Sequence, residues 1–124
     1  QKIKKILGDN SKGIFQGKIF VNERAQKTNA YQLSNALILN DSAEFNAKPE
    51  LEIYADDVKC SHGSSSGNLD KDAIYYLMAR GIKKADAIQL LVKGFLSEII
   101  ETIKLKYLKE IVEEHIEKST LYEN

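Results

Sequence analysis

Tyr31-Gln32-Leu33-Ser34-Asn35-Ala36-Leu37-Ile38-Leu39, closed by Asn40-Asp41-Ser42 and followed after Pro49 by Leu51-Glu52-Ile53-Tyr54, is the stretch on which the fold turns. It reads as a β-type run, a turn cluster and a second short run, with Leu37-Ile38-Leu39 and Leu51-Glu52-Ile53 14 residues apart. Upstream, residues Gly13 to Val21 hold one or two runs of the same kind, and downstream Val58-Lys59-Cys60-Ser61-His62 is another. Short strands, many asparagines and no Asn-Gly or Asp-Gly hairpin predict the rungs of a β-solenoid rather than a meander. A small antiparallel sandwich would give similar runs. A solenoid this short leaves an open end, whose unpaired backbone needs a cap or a partner.

Composition changes at Asn68. Residues 1–68 carry seven of the eight asparagines, five of the seven glycines, seven of the nine serines and the only proline, Pro49. Residues 69–124 are dense in Leu, Ile, Lys, Glu and Ala, which is helix chemistry. Asn68 or Asp70 can cap a helix through Asp72, Ile74, Leu77 and Met78, with Gly81 after Arg80 as its stop. Ile88, Leu91, Val92, Phe95, Leu96, Ile99 and Ile103 then recur at helical spacing, and Leu105, Leu108, Ile111, Val112 and Ile116 extend that face. Residues 1–68 are therefore expected to form β structure and 69–124 a helical segment, an α+β chain. The helices need an apolar surface to pack on, either the β part or a partner.

The charges exclude several functions. Lys+Arg and Asp+Glu number 18 each, and neither half is strongly biased, so no field steers nucleic acid or an anionic membrane. No apolar run is long enough to span a bilayer, and no signal-like segment opens the chain. One cysteine excludes an intrachain disulfide and any CxxC motif. The chain opens on Gln1 and its only methionine is Met78, so it is expected to be a piece of a longer product.

No phosphate-binding loop, dinucleotide fingerprint, nucleophile elbow or HExxH is present. Gly63-Ser64-Ser65-Ser66-Gly67 could form an anion-binding nest, but it lacks the lysine of a P-loop and reads first as a flexible turn between strand and helix. Asp56 and Asp57 are adjacent, so an extended backbone sends them to opposite faces and they cannot pair as general acid and base. Leu51 and Ile53 differ in parity from Val58, Cys60 and His62, which demands a bulge or corner at Asp56-Asp57. Cys60 and His62 share a strand face. Thiolate and imidazole there could ligate a soft metal, or the imidazole could activate the thiol. Two ligands do not close a site, and His115 in a charged helix is a poor third. Any metal held here needs ligands from another chain or from more of this one. Equally, Cys60 could be a small core hydrophobe and His62 a hydrogen-bonded strand-end residue.

Ala55-Asp56-Asp57-Val58-Lys59-Cys60-Ser61-His62-Gly63, then Gly67-Asn68-Leu69-Asp70, then Tyr75-Tyr76-Leu77-Met78-Ala79-Arg80-Gly81-Ile82, resembles the C-terminal signature of the SufB/SufD family of iron–sulfur cluster assembly scaffolds. The Cys-Ser-His-Gly tetrapeptide is similar to the SufD branch. The likeness covers most of residues 13–100 and fades beyond Ile103. It implies the terminal rungs of a right-handed parallel β-helix over residues 1–68, followed by a small C-terminal helical domain over 69–124. It implies a scaffold with no catalysis of its own, in a bacterial cytoplasm or a plastid. The expected partners are a SufB-like protein and a SufC-like ATPase, with self-association through the β-helix end as a further expectation. Neither nucleic acid nor membrane is expected as a partner. In this picture His62, and with it Cys60, contributes to a transient iron–sulfur cluster at a shared interface, and no cofactor is expected in the isolated chain. Arg80, Gly81, Ile82, Ala85 and Phe95 mark the ATPase-docking surface by position. Two other readings compete: a stand-alone metal- or thiol-dependent enzyme using Cys60 and His62, and a purely structural interaction module.

Overall fold

The computed structural model describes residues 1–119; the last five residues of the expected helical segment lie outside the described residues. The chain divides into two compact units, Gln1–Gly67 and the residues from Asn68 onward. No helix among the described residues is long and apolar enough to cross a membrane.

Five strands build the first unit: β1 (Lys2–Leu7), β2 (Lys12–Val21), β3 (Asn29–Ile38), β4 (Glu44–Ile53) and β5 (Lys59–Asn68). Successive strands alternate between two sheets, one ordered β1-β3-β5 and the other β2-β4. β1 pairs parallel with β3 (Lys2 with Leu33), and β2 with β4 (Lys12 with Glu44). Lateral neighbours are thus 31 or 32 residues apart, two strands to a repeat. The 14-residue spacing between Leu37-Ile38-Leu39 and Leu51-Glu52-Ile53 is instead the step from one sheet to the other. This two-sheet parallel arrangement is compatible with a fragment of a β-helix.

β5 follows the same rule. The Lys59 N–H donates to the Thr28 carbonyl at 2.9 Å, the Asn35 amide to the Ser65 hydroxyl at 2.6 Å, and Gly63 faces the Leu33 side chain. Residue numbers rise together along both strands, so β5 runs parallel to β3, thirty residues on. The Gly63–Gly67 segment, expected to be a flexible turn, is strand. Glycine and serine have little β propensity, but a neighbouring ladder overrides it. Pro49 lies inside β4, opposite Gly17. The Glu44 N–H donates to Ser11 and the Tyr54 N–H to Val21, so even-numbered amides of β4 face β2. The missing N–H of Pro49 falls on the open edge, where a strand tolerates proline.

Strand alternation sorts the side chains. Gln32, Ser34 and Ala36 of β3 are buried facing the second sheet, and Leu7, Ala36 and Ala43 form a core cluster with Ile38 and Phe45 against it. The space is narrow. A Cβ on Gly13 would lie 2.9 Å from both Leu7 methyls, and one on Gly17 would lie 2.8 Å from the Gln32 amide nitrogen and oxygen. The opposite face of the β2-β4 sheet is solvated and mixes charged side chains with the exposed Ile14, Phe20 and Tyr54. There Lys18 donates to Glu52 at 2.8 Å, the Tyr54 hydroxyl donates to the other Glu52 oxygen at 2.8 Å, and the Phe20 and Tyr54 rings sit 5.7 Å apart. The corner at Asp56-Asp57 is present between β4 and β5, pinned where the Asp57 N–H donates to Gln26 and the Lys27 N–H to the Asp57 carbonyl.

The second unit has three helices, α1 (Lys71–Ala79), α2 (Lys84–Ile100) and α3 (Lys106–Lys118). Asp70 caps α1 by accepting from the Asp72 and Ala73 amides at 2.9 and 3.1 Å, a cap that contributes about 1 kcal/mol. Gly81, with φ of +87°, takes the left-handed turn after α1 that other residues resist. α1 and α3 each pack on α2, and Ala87 and Val92 are fully buried. The apolar period from Ile88 to Ile116 does not form one helix. The Thr102 N–H and hydroxyl both bond the Ile99 carbonyl, and the Ile103 N–H turns to Ile100, which closes α2. α3 then returns along α2, held by Lys93–Glu117 at 2.5 Å and Lys109–Glu101 at 2.7 Å.

Candidate metal-ligand strand and docking face

The candidate ligands lie on β5, which has no lateral partner on its far side among the described residues. Its thirty-residue offset sets Cys60 opposite Ala30, His62 opposite Gln32 and Ser64 opposite Ser34. Cys60 and His62 therefore occupy the face that on β3 is buried toward the second sheet. Cys60 is half-buried and His62 is exposed, because no further strand covers that end of the sheet. The parity argument drawn from the sequence thus places both side chains together on an accessible rim.

One soft and one borderline donor are all that this rim supplies. Among the described residues no three His, Cys, Asp or Glu side chains come together in a way that could hold a metal ion. His115 lies in the last turn of α3, in the other unit. A thiolate and an imidazole are suitable donors for iron, but two donors do not close a site.

Four of the five expected docking positions cluster around the α1–α2 turn. Arg80 caps α1 with its guanidinium 4.0 Å from the centre of the Tyr76 ring, Gly81 makes the left-handed turn, and the Ile82 N–H closes back on Leu77 at 3.2 Å. Ala85 is exposed in the first turn of α2, and Phe95 is half-buried farther along it. Sequence reasoning did not assign to this surface the apolar side chains left in solvent nearby on α1, Tyr75, Tyr76 and Met78. It also treated the α3 face as a continuation of α2. Lys109, Ile116 and Glu117 of α3 lie toward α2, whereas Leu105, Leu108, Ile111 and Val112 are exposed. On the β unit the residue missed is Gln32. A lone glutamine in a β run carries no signal until the register sets it beside His62.

Comparison with known proteins gives a consistent result. The family model for the SUF system FeS cluster assembly SufBD core domain matches residues 1–95. The iron–sulfur cluster assembly protein SufD of Escherichia coli is 42% identical over 109 residues, covering 88% of this chain and 26% of that protein. A SufBD family protein of Synechocystis is 43% identical over 104 residues, 84% of this chain and 23% of the relative. The chloroplastic protein ABCI7 of Arabidopsis thaliana is 39% identical over 111 residues, 90% and 23% respectively. The chain spans about a quarter of the length of these relatives.

Proposed function

Because the chain belongs to the SufBD core family of the SUF iron–sulfur cluster assembly system, we propose that it is the C-terminal part of a SufD-type scaffold, without catalysis of its own. In this reading the two parallel sheets are the last rungs of a right-handed parallel β-helix. The observation that carries the site is the placement of Cys60 and His62, side by side in parity on the uncovered strand β5.

Each residue has a distinct part. His62 offers an imidazole nitrogen to the cluster being assembled, which is cargo rather than a resident cofactor. Cys60 offers a neighbouring thiolate, less accessible because its side chain is half-buried. A SufB-like partner supplies the remaining ligands, which explains why two donors suffice here. The helical unit docks a SufC-like ATPase through the turn at Arg80-Gly81-Ile82 and the α2 positions Ala85 and Phe95. Nucleotide-driven movement of that ATPase then strains the shared interface and opens the cluster site.

The test is reconstitution of the full-length protein with both partners. His62→Ala lowers cluster yield while ATPase binding survives, and unchanged cluster formation removes His62 from the site. Phe95→Asp weakens ATPase capture. Intact capture by a folded variant would withdraw the docking assignment. If alanine at both Cys60 and His62 leaves assembly untouched, the chain is a structural interaction module.

A further inference from the structure

Two buried polar atoms of the β unit have no hydrogen-bond partner, the Gln32 side-chain oxygen and the Ser34 hydroxyl. Such an orphan costs about 1–3 kcal/mol and calls for an explanation. Both belong to β3, both point between the sheets, and both sit opposite polar residues of β5: His62 beside Gln32, Ser64 beside Ser34.

The direction of the Gln32 amide follows from its one bond. Gln1 lies opposite Gln32 on the other side, one position before the Lys2–Leu33 pair, and the Gln32 Nε2 donates to the Gln1 Oε1 at 3.0 Å. A planar carboxamide carries its oxygen on the edge away from its nitrogen. With Nε2 turned toward β1, Oε1 is turned toward β5, where the next position in the column is His62. Gln1, Gln32 and His62 thus form one ladder across the sheet, whose last step is an acceptor awaiting a donor. The amide cannot easily turn elsewhere, since it is only 3% exposed and lies against the backbone of Gly17.

We propose that Gln32 is a positioning residue for His62, accepting the N–H of one imidazole nitrogen and leaving the other free to face a metal. Ligating histidines are commonly oriented this way, by a carbonyl-type acceptor on the second ring nitrogen. The inference rests on the reading of His62 as a ligand, and it adds which residue sets its tautomer and ring orientation. It also names a donor for the orphaned oxygen, which makes no hydrogen bond to His62 in the structure: the exposed ring stands on the adjacent strand and has to turn inward to meet it.

The experiment reads the ring directly. Long-range proton–nitrogen NMR on the 15N-labelled chain reports which nitrogen of His62 is protonated, with His62→Ala separating it from His115. The expected wild-type result is one dominant tautomer. Gln32→Met removes the acceptor and lowers the tautomer ratio about five- to tenfold. Identical His62 nitrogen shifts in wild type and a folded Gln32→Met variant overturn the proposal. If Gln32→Met does not fold, Gln32→Asn is read the same way, because its shorter side chain withdraws the acceptor while keeping the amide. The parent reading fails separately. If the tautomer follows Gln32 but His62→Ala leaves cluster yield unchanged, the positioning stands and the ligand role falls. If His62→Ala lowers yield but the tautomer ignores Gln32, the positioning falls and the ligand role stands.

Discussion

Gly17→Ala tests the packing that holds the Gln32 amide in place. A Cβ at Gly17 would sit 2.7 Å from the Phe15 ring and 2.8 Å from both polar atoms of the Gln32 amide. Ordinary contact needs about 3.5 Å, so the amide must retreat by roughly 0.7 Å. That retreat leads away from the second sheet, across the 3.0 Å bond to Gln1, and bends it. Overpacking costs about 1–3 kcal/mol and the weakened hydrogen bond about 0.5 kcal/mol more. The reduced freedom of the unfolded chain returns about 0.5 kcal/mol. The net expectation is a loss of about 2 kcal/mol, measured as a shift of the urea midpoint at constant slope. A double-mutant cycle separates the causes, because Gln32→Ala removes the amide and leaves the Phe15 ring as the group that is struck. In that background Gly17→Ala should cost at least 1 kcal/mol less than in wild type. Equal costs in the two backgrounds, or a neutral Gly17→Ala, would refute the account of a tightly held amide.

Two further predictions concern regions away from that column. Val92→Ala removes two methyl groups from a fully buried site in the helical unit and should cost about 2–3 kcal/mol, read from urea titration of the helical circular dichroism at 222 nm; a change under 0.5 kcal/mol would mean that Val92 is not packed as described. The Glu52 carboxyl is held below its ordinary range first by the hydrogen bond from Lys18 and then by that from Tyr54. A group depressed in this way adds stability above its unfolded value of about 4.3 and loses it as pH falls through the folded value. A carbon-13 titration should therefore place Glu52 below ~4.3 and move it upward in Lys18→Met. No movement would show that the pair does not persist in solution.

Particular residues show how far the sequence could be read. The opposite parities of Leu51-Ile53 and Val58-Cys60-His62 were enough to demand the corner at Asp56-Asp57, and it is there. β1 escaped notice because Lys2, Lys4 and Lys5 mask a strand whose pairing with β3 supplies its stability. The Ser/Gly segment at 63–67 reads as a turn for the same reason: its strand character comes from its neighbour, not from its own side chains. The break between α2 and α3 was hidden by an apolar period that runs straight through it, while the deciding contacts are backbone and hydroxyl bonds to the Ile99 carbonyl.

Local chemistry by itself determined the α+β class, the alternation that joins Cys60 to His62, the helix stop at Gly81 and the resemblance to the SufBD family. These depend on residue type and on neighbours a few positions away. Only the tertiary structure decided the 31- to 32-residue repeat, the parallel pairing and the column that brings Gln1, Gln32 and His62 to one level. Register is a relation between residues thirty or more apart. No period within a single strand encodes it, so the buried amide beside His62 becomes visible only once the strands are laid side by side.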